Sequence, residues 1–220
     1  MKVYARILLV LLLCVPALAA EEAHVTPGDN LVVESIPPIP ASLAETVGRY
    51  TDYRSASHQS WHPTKREMLI STRFGDTTQI HRLKTPGGAR YQLTFFTDRV
   101  GGADYQPTRG DYFVFSKDVG GGEWFQKFRY DLATGKVTLL TDGRSRNTGG
   151  VWSNAGDRYA YQSTRRTGRT SDIWVMDPAD PAGDRLLLEV PGGGWFAVDW
   201  SPDDRWLLVG EYISVNQSVL

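Results

Sequence analysis

Three stretches of the sequence carry residue types that do chemistry. The first is Gly143-Arg144-Ser145-Arg146-Asn147, the nearest approach to a G-x-S-x-G nucleophile elbow. It lacks the second glycine, and no helical pattern follows to present the serine. All four histidines, His24, His58, His62 and His81, precede Ser145, whereas an α/β-hydrolase triad places its histidine last. Ser145 therefore reads as a loop residue. The second stretch is "HQSWH", which sets His58 and His62 four apart, the spacing of a helical zinc pair. The glutamate of H-E-x-x-H is missing and Pro63 argues against a helix, so these read as two polar residues at the start of a repeat unit. The third is "DVGGGEWFQ", residues 118–126, three glycines between two carboxylates. It satisfies neither phosphate-loop pattern and is flanked by strands, so the glycines supply the positive φ of a hairpin turn. No paired carboxylates can be assigned to one site, which leaves glycoside processing without support. The chain thus offers no catalytic, cofactor-binding or metal-binding set. Its candidate substrate contacts are Glu123 and Trp124 beside the glycine turn, and Trp195 after the glycines of "PGGGW".

The elements that position these residues recur. "WHP" begins at Trp61, "YQP" at Tyr105, "WSN" at Trp152 and "WSP" at Trp200, steps of 44, 47 and 48 residues. Each is followed by a polar turn and a short run rich in aromatic and β-branched residues: "EMLIST", "YFVFSK", "RYAYQS", "WLLVGE". Such runs, bounded by turn formers, read as strands. A second turn leads to "QIHRLK", "WFQKFRYD" or "DIWVMD". A third turn, "PADPAGD" in the last case, leads to "RYQLT", "VTLLT" or "RLLLEV". With the run before each aromatic signal, this makes four strands per unit, the mark of a β-propeller blade. The fold class is all-β: an incomplete propeller of four-stranded antiparallel blades, about 54–97, 98–143, 144–191 and an unfinished 192–220. The recurring Trp61, Trp152 and Trp200 belong to the core in this reading.

Residues 21–53 lie outside the repeats as a strap, with prolines at 37, 38 and 40 and a capping-box spacing of Ser42 and Glu45 that predicts a helical turn or two. Residues 1–20, "MKVYARILLVLLLCVPALAA", have the basic start, apolar run and small-residue end of a secretion signal. The expected location is the periplasm or outside the cell, with no stable membrane span after cleavage. Cleavage removes Cys14, the one cysteine, so stability rests on core burial rather than disulfides. The formal balance moves from 24 basic against 25 acidic residues to 22 against 25, with no basic stripe, which excludes nucleic acid as a partner.

"ISTRFGDTTQIHRL" (70–83), "TPGGARYQLTFF" (85–96), "DVGGGEWFQKFRYD" (118–131), "TLLTDGRSRN" (138–147), "RTSDIWVMD" (169–177) and "DWSPDDRWLLVGEYISVNQS" (199–218) run in order along the chain. Together they resemble the N-terminal propeller of a bacterial secreted serine peptidase of the prolyl oligopeptidase family, of the dipeptidyl-peptidase-like and acylaminoacyl-peptidase-like group. The resemblance implies a propeller that screens short peptides for its own C-terminal α/β-hydrolase domain, which carries the triad and is absent from this sequence. It implies no cofactor. The acidic pair by which dipeptidyl peptidases hold a substrate's amino terminus has no match, since Glu123 stands alone. The repeats are also those of TolB-like propellers, for which the expectation is a non-enzymatic periplasmic scaffold.

Overall fold

The computed structural model describes residues 22–219; the secretion signal expected over 1–20 lies outside the described residues. The chain divides into two units between Tyr53 and Arg54. In the first, α1 (Ala41–Thr51) runs three turns, longer than the sequence predicts. The capping box does not form. Pro40 occupies the N-cap with φ −58° and no side-chain cap, and the Ala41 N–H donates instead to Ala23 O at 2.7 Å. Ser42 donates to Glu22 Oε1 at 3.3 Å.

The second unit is a series of antiparallel sheets in chain order. Sheet 1 comprises β1 (Ala56–Trp61), β2 (Met68–Thr72), β3 (Gln79–Leu83) and β4 (Arg90–Gln92). Sheet 2 comprises β5 (Val100–Tyr105), β6 (Tyr112–Lys117), β7 (Gln126–Asp131) and β8 (Val137–Leu139). Sheet 3 comprises β9 (Asn147–Trp152), β10 (Tyr159–Ser163), β11 (Asp172–Asp177) and β12 (Asp180–Leu188). Sheet 4 has three strands, β13 (Trp195–Trp200), β14 (Leu207–Ser214) and β15 (Gln217–Val219). In each sheet the strands pair in sequence order.

Two expected boundaries shift. The turn predicted over "PADPAGD" shrinks to Pro178-Ala179, because Asp177 and Asp180 already pair and the Asp177 carboxylate accepts the Ala179 N–H at 2.8 Å. The strand predicted from Trp124 begins only at Gln126.

The sheets pack face to face, and alternation along the second strands explains how. On β6, Phe113 and Phe115 join Leu69 and Ile80 of sheet 1, while Tyr112 and Val114 join Tyr159, Tyr161 and Met176 of sheet 3. Successive side chains point to opposite faces, so a strand buried on both sides reads as the unbroken "YFVF". Ala160 and Val175 carry the stack on to Trp200 of sheet 4. The aromatic residue ending each later inner strand reaches back: Tyr105 to sheet 1, Trp152 to Tyr112, Trp200 to Val151 O through its indole N–H at 3.3 Å. Trp61 departs from the expected core role and is 61% exposed, since no sheet precedes sheet 1 among the described residues.

Adjacent sheets are also latched through the turn after each inner strand. His62 Nδ1 accepts the Thr64 and Lys65 N–H groups, both at 3.2 Å. Gln106 Oε1 does the same for Thr108 and Arg109 at 3.1 and 2.6 Å. Late in the turn one residue is left-handed: Gly110 (+67°), Gly156 (+70°) and Asp204 (+56°). Each stands against the turn of the sheet before it. A Cβ on Gly110 would lie 2.7 Å from the His62 ring, and one on Gly156 2.4 Å from Gln106 Nε2. Asp204 instead accepts the Asn154 and Ala155 N–H groups at 2.7 and 2.8 Å.

Candidate functional site

The stretch 118–125 connects β6 to β7 as eight residues rather than a tight hairpin. Gly120 (+60°) and Gly121 (+75°) take the left-handed conformation, and so does Glu123 at +61°, where a side chain costs about 1–2 kcal/mol. The surroundings impose that conformation. The buried Asp118 accepts the Glu123 N–H through Oδ2 at 2.8 Å. Asp98, ahead of β5, accepts the Gly120 N–H at 3.0 Å and Lys117 Nζ at 3.3 Å, and these bonds hold its carboxyl below the ordinary range. From ahead of β9, Arg146 donates through Nε to Glu123 O at 3.2 Å and lies 4.0 Å from the Glu123 carboxylate. The loop is thus pinned through the connections that lead into β5 and β9. It leaves the Glu123 carboxylate mostly in solvent and the Trp124 side chain 50% exposed.

Beneath this loop, between the inner strands β5 and β9, lies a cavity of about 440 Å³. Glycine pairs in both strands open it. Gly102 (+50°) sits in a bulge of β5, and Gly149 (+60°) and Gly150 (+150°) in a bulge of β9. On β9 side chains would not fit: a Cβ on Gly149 would lie 2.0 Å from Gln162 Oε1, and one on Gly150 1.8 Å from the Tyr159 hydroxyl.

The cavity wall holds a lysine where sheets 1 and 3 hold isoleucine. Ile80, Lys127 and Ile173 occupy one register position on the third strand, opposite Ser71, Ser116 and Gln162. Ile80 and Ile173 are 0% exposed and Lys127 is 3% exposed. The backbone agrees, since the N–H groups of Ile80 and Lys127 donate to Thr94 and Thr141 Oγ1 at 2.9 and 3.1 Å. Lys127 Nζ donates to Ser116 Oγ at 2.8 Å and to the Gly149 carbonyl. Burial pulls its amine down to about 8, against the opposing pull of Asp104. Burial also raises the Asp104 carboxyl, an effect that Lys127 and His58 moderate. The Tyr159 hydroxyl, likewise raised by burial and then by Asp104, stays protonated. Asn147 lines the same space; its Nδ2 is bonded to Phe125 O and Ser145 O at 3.0 and 2.8 Å, and its buried Oδ1 has no protein partner.

Glu123 and Trp124 are neighbours on the pinned loop, and the next residue, Phe125, lines the cavity. Trp195 is not brought to them: it begins β13 in sheet 4, opposite Glu211, and is half-buried. Ser145 donates to Asp142 Oδ2 at 2.5 Å in the connection between β8 and β9. His58 and His62 lie along one extended strand and the residue after it, where four residues span on the order of 13 Å. Among the described residues no group of three or more His, Cys, Asp or Glu side chains is arranged to hold a metal ion. Lys127, Asp104 and Tyr159 escape a reading of the sequence one segment at a time. Aligning the third strands in one column isolates Lys127 between two isoleucines.

No family model matches the chain, and no curated protein matches it. Solved structures do. A TolB from Agrobacterium tumefaciens is similar with TM-score 0.53 at 22% identity, over 67% of this chain and 50% of that one. TolB from Acinetobacter baumannii is similar with TM-score 0.50 at 21% identity, over 71% and 40%. A prolyl endopeptidase is similar with TM-score 0.56 at 13% identity, over 72% and 26%. The chain spans half or less of the length of each. At these identities the likeness concerns the fold: the successive antiparallel sheets are blades of a TolB-like β-propeller.

Proposed function

We propose that this chain is the N-terminal propeller part of a secreted or periplasmic serine exo- or oligopeptidase, and that it screens and positions short peptides for a C-terminal α/β-hydrolase domain. The observation that carries the reading is the loop 118–125. Its Glu123 is held in a strained backbone conformation by Asp118 and Arg146, and a half-exposed Trp124 follows it. A left-handed conformation imposed on an exposed acidic residue is the kind of outlier from which a functional role is inferred. An exposed carboxylate and an indole suit the ammonium group and apolar side chains of a peptide. The likeness to a prolyl endopeptidase and the run of motifs from 70 to 218 support the same reading. In the complete enzyme a serine would attack the peptide carbonyl with histidine as base and aspartate orienting it. None of those three is assigned to this sequence.

The test reads the gene beyond codon 220. An open frame carrying G-x-S-x-G followed by aspartate and then histidine is the expected result. A verified stop with no hydrolase downstream overturns the reading. That outcome would favour a second one, a non-enzymatic interaction scaffold in the periplasm, which the likeness to two TolB structures supports.

A further inference from the structure

We propose that the cavity between sheets 2 and 3 is a binding site for a small organic carboxylate, received by the Lys127 ammonium and the Tyr159 hydroxyl. The two groups converge on one Gly-Gly step. Lys127 Nζ is bonded to the Gly149 carbonyl, and the Tyr159 hydroxyl occupies the space that a Cβ on Gly150 would take. An ammonium has three protons; two of those on Lys127 are bonded, to Ser116 Oγ and Gly149 O, and the third remains for a ligand. Tyr159 adds a hydroxyl donor.

Packing alone does not explain the lysine. The same register position in sheets 1 and 3 is filled by fully buried isoleucine, so the blade packs at this position without a charge. Nor does Asp104 neutralise it by direct contact: both line the cavity, yet the carboxylate makes no ion pair with Lys127 within 4.0 Å. With Arg99 at the rim, the charged lining groups are two cations and one carboxylate, a balance that accepts one negative charge. Asp104 also selects between anions. It opposes a phosphate dianion, and it tolerates or assists a carboxylate ligand that carries an ammonium of its own. A volume of about 440 Å³ falls within the range of small-molecule sites and suits a free amino acid or a dipeptide.

This inference stands apart from the peptidase reading, because binding is measured on this chain and involves no cleavage. Isothermal titration of the chain would use L-alanyl-L-alanine, its C-terminal amide, N-acetyl-L-alanyl-L-alanine and inorganic phosphate as probes. The expected result is binding of both free carboxylates and at least tenfold weaker binding of the amide. Lys127→Met should lower affinity for the dipeptide at least tenfold and Tyr159→Phe about fivefold, with cooperative melting retained. Equal binding of dipeptide and amide, tighter binding of phosphate, no binding at all, or undiminished binding by a folded Lys127→Met chain would each overturn the proposal. Should Lys127→Met fail to fold, undiminished binding by Tyr159→Phe overturns it, and the fivefold loss supports it.

Discussion

Replacing Lys127 with the isoleucine of its two counterparts should make this chain more stable and remove a defined part of its pH dependence. The amine falls from 10.5 to about 8 on folding. The unfolded chain therefore binds more protons than the folded one between those values, and stability must rise with pH across that interval. The full difference, at about 1.4 kcal/mol per pH unit, is about 3 kcal/mol; the part recovered between pH 7 and pH 9.5 is about 2 kcal/mol. Other groups act outside the window or against it. His62 and His81 are lowered below 6.5 by burial. The raised carboxyl of Asp104 works in the opposite direction and toward acid. Tyrosines such as Tyr112, pushed up to about 12, begin to lower stability as the pH approaches 10, where their unfolded counterparts ionise. In Lys127→Ile the ionisation is gone, while Ser116 Oγ and the Gly149 carbonyl each lose a bond worth about 1 kcal/mol. About 3 kcal/mol less these two bonds leaves a gain of about 1 kcal/mol at pH 7, and no more, because the Asp104 carboxyl loses the cation that moderates it. Urea denaturation of both chains at pH 7 and pH 9.5 measures all four quantities. An isoleucine variant less stable than the parent at pH 7, or one that keeps the 2 kcal/mol rise, would refute the account of Lys127 as a buried charge without a contacting carboxylate.

Other expectations follow from the latches and buried polar groups. Gly156→Ala should destabilise by about 2 kcal/mol or more, because it adds left-handed strain to a Cβ 2.4 Å from Gln106 Nε2; thermal melts would show it, and a neutral result would mean the turn can shift. Asp172 is fully buried and accepts the N–H groups of Arg166 Nε and Nη2, both at 2.8 Å, and the Val190 N–H at 3.0 Å. Asp172→Ala should therefore lose about 2–3 kcal/mol in chemical denaturation, less than a fully buried pair because Arg166 is partly exposed. His81 is lowered by burial, with Arg90 adding to that and the bond from its ring to Gln79 O at 3.1 Å opposing it. It contributes stability above its unfolded value that fades as the pH falls through 6.5 and below. Melting curves from pH 7 to 5 should drop less steeply in His81→Gln. Asp118→Ala removes the acceptor of the Glu123 N–H and should raise backbone amide exchange over 119–125, leaving β6 and β7 protected.

The repeat was legible because a tight turn after each inner strand demands the same few residue types, so aromatic-polar pairs return at nearly constant spacing. The function of the turn glycines was legible for the same reason. Other features depend on neighbours the local pattern cannot name. Ser42 and Glu45 have capping-box spacing, but Ala23 O already takes the Ala41 N–H. Trp61 resembles Trp152 and Trp200 in sequence and differs only in what lies beside it. Lys127 sits in "QKFRYD", where alternating charge and aromatic residues suggest a solvated face. Its burial comes from the sheet that follows, and only its column in the aligned repeats marks it as unusual.

The latch between successive turns has a consequence for how such a molecule can grow. Each unit offers one kind of turn to the unit ahead and a different feature, the left-handed residue, to the unit behind, so the contact is heterologous and polar along the series. The junctions are matched pair by pair, a glycine against His62 or Gln106 and an aspartate against Asn154, so a blade reversed or deleted in part would leave two mismatched faces. Adding or removing a whole unit therefore requires that both new junctions bring together a turn and a left-handed residue that fit one another.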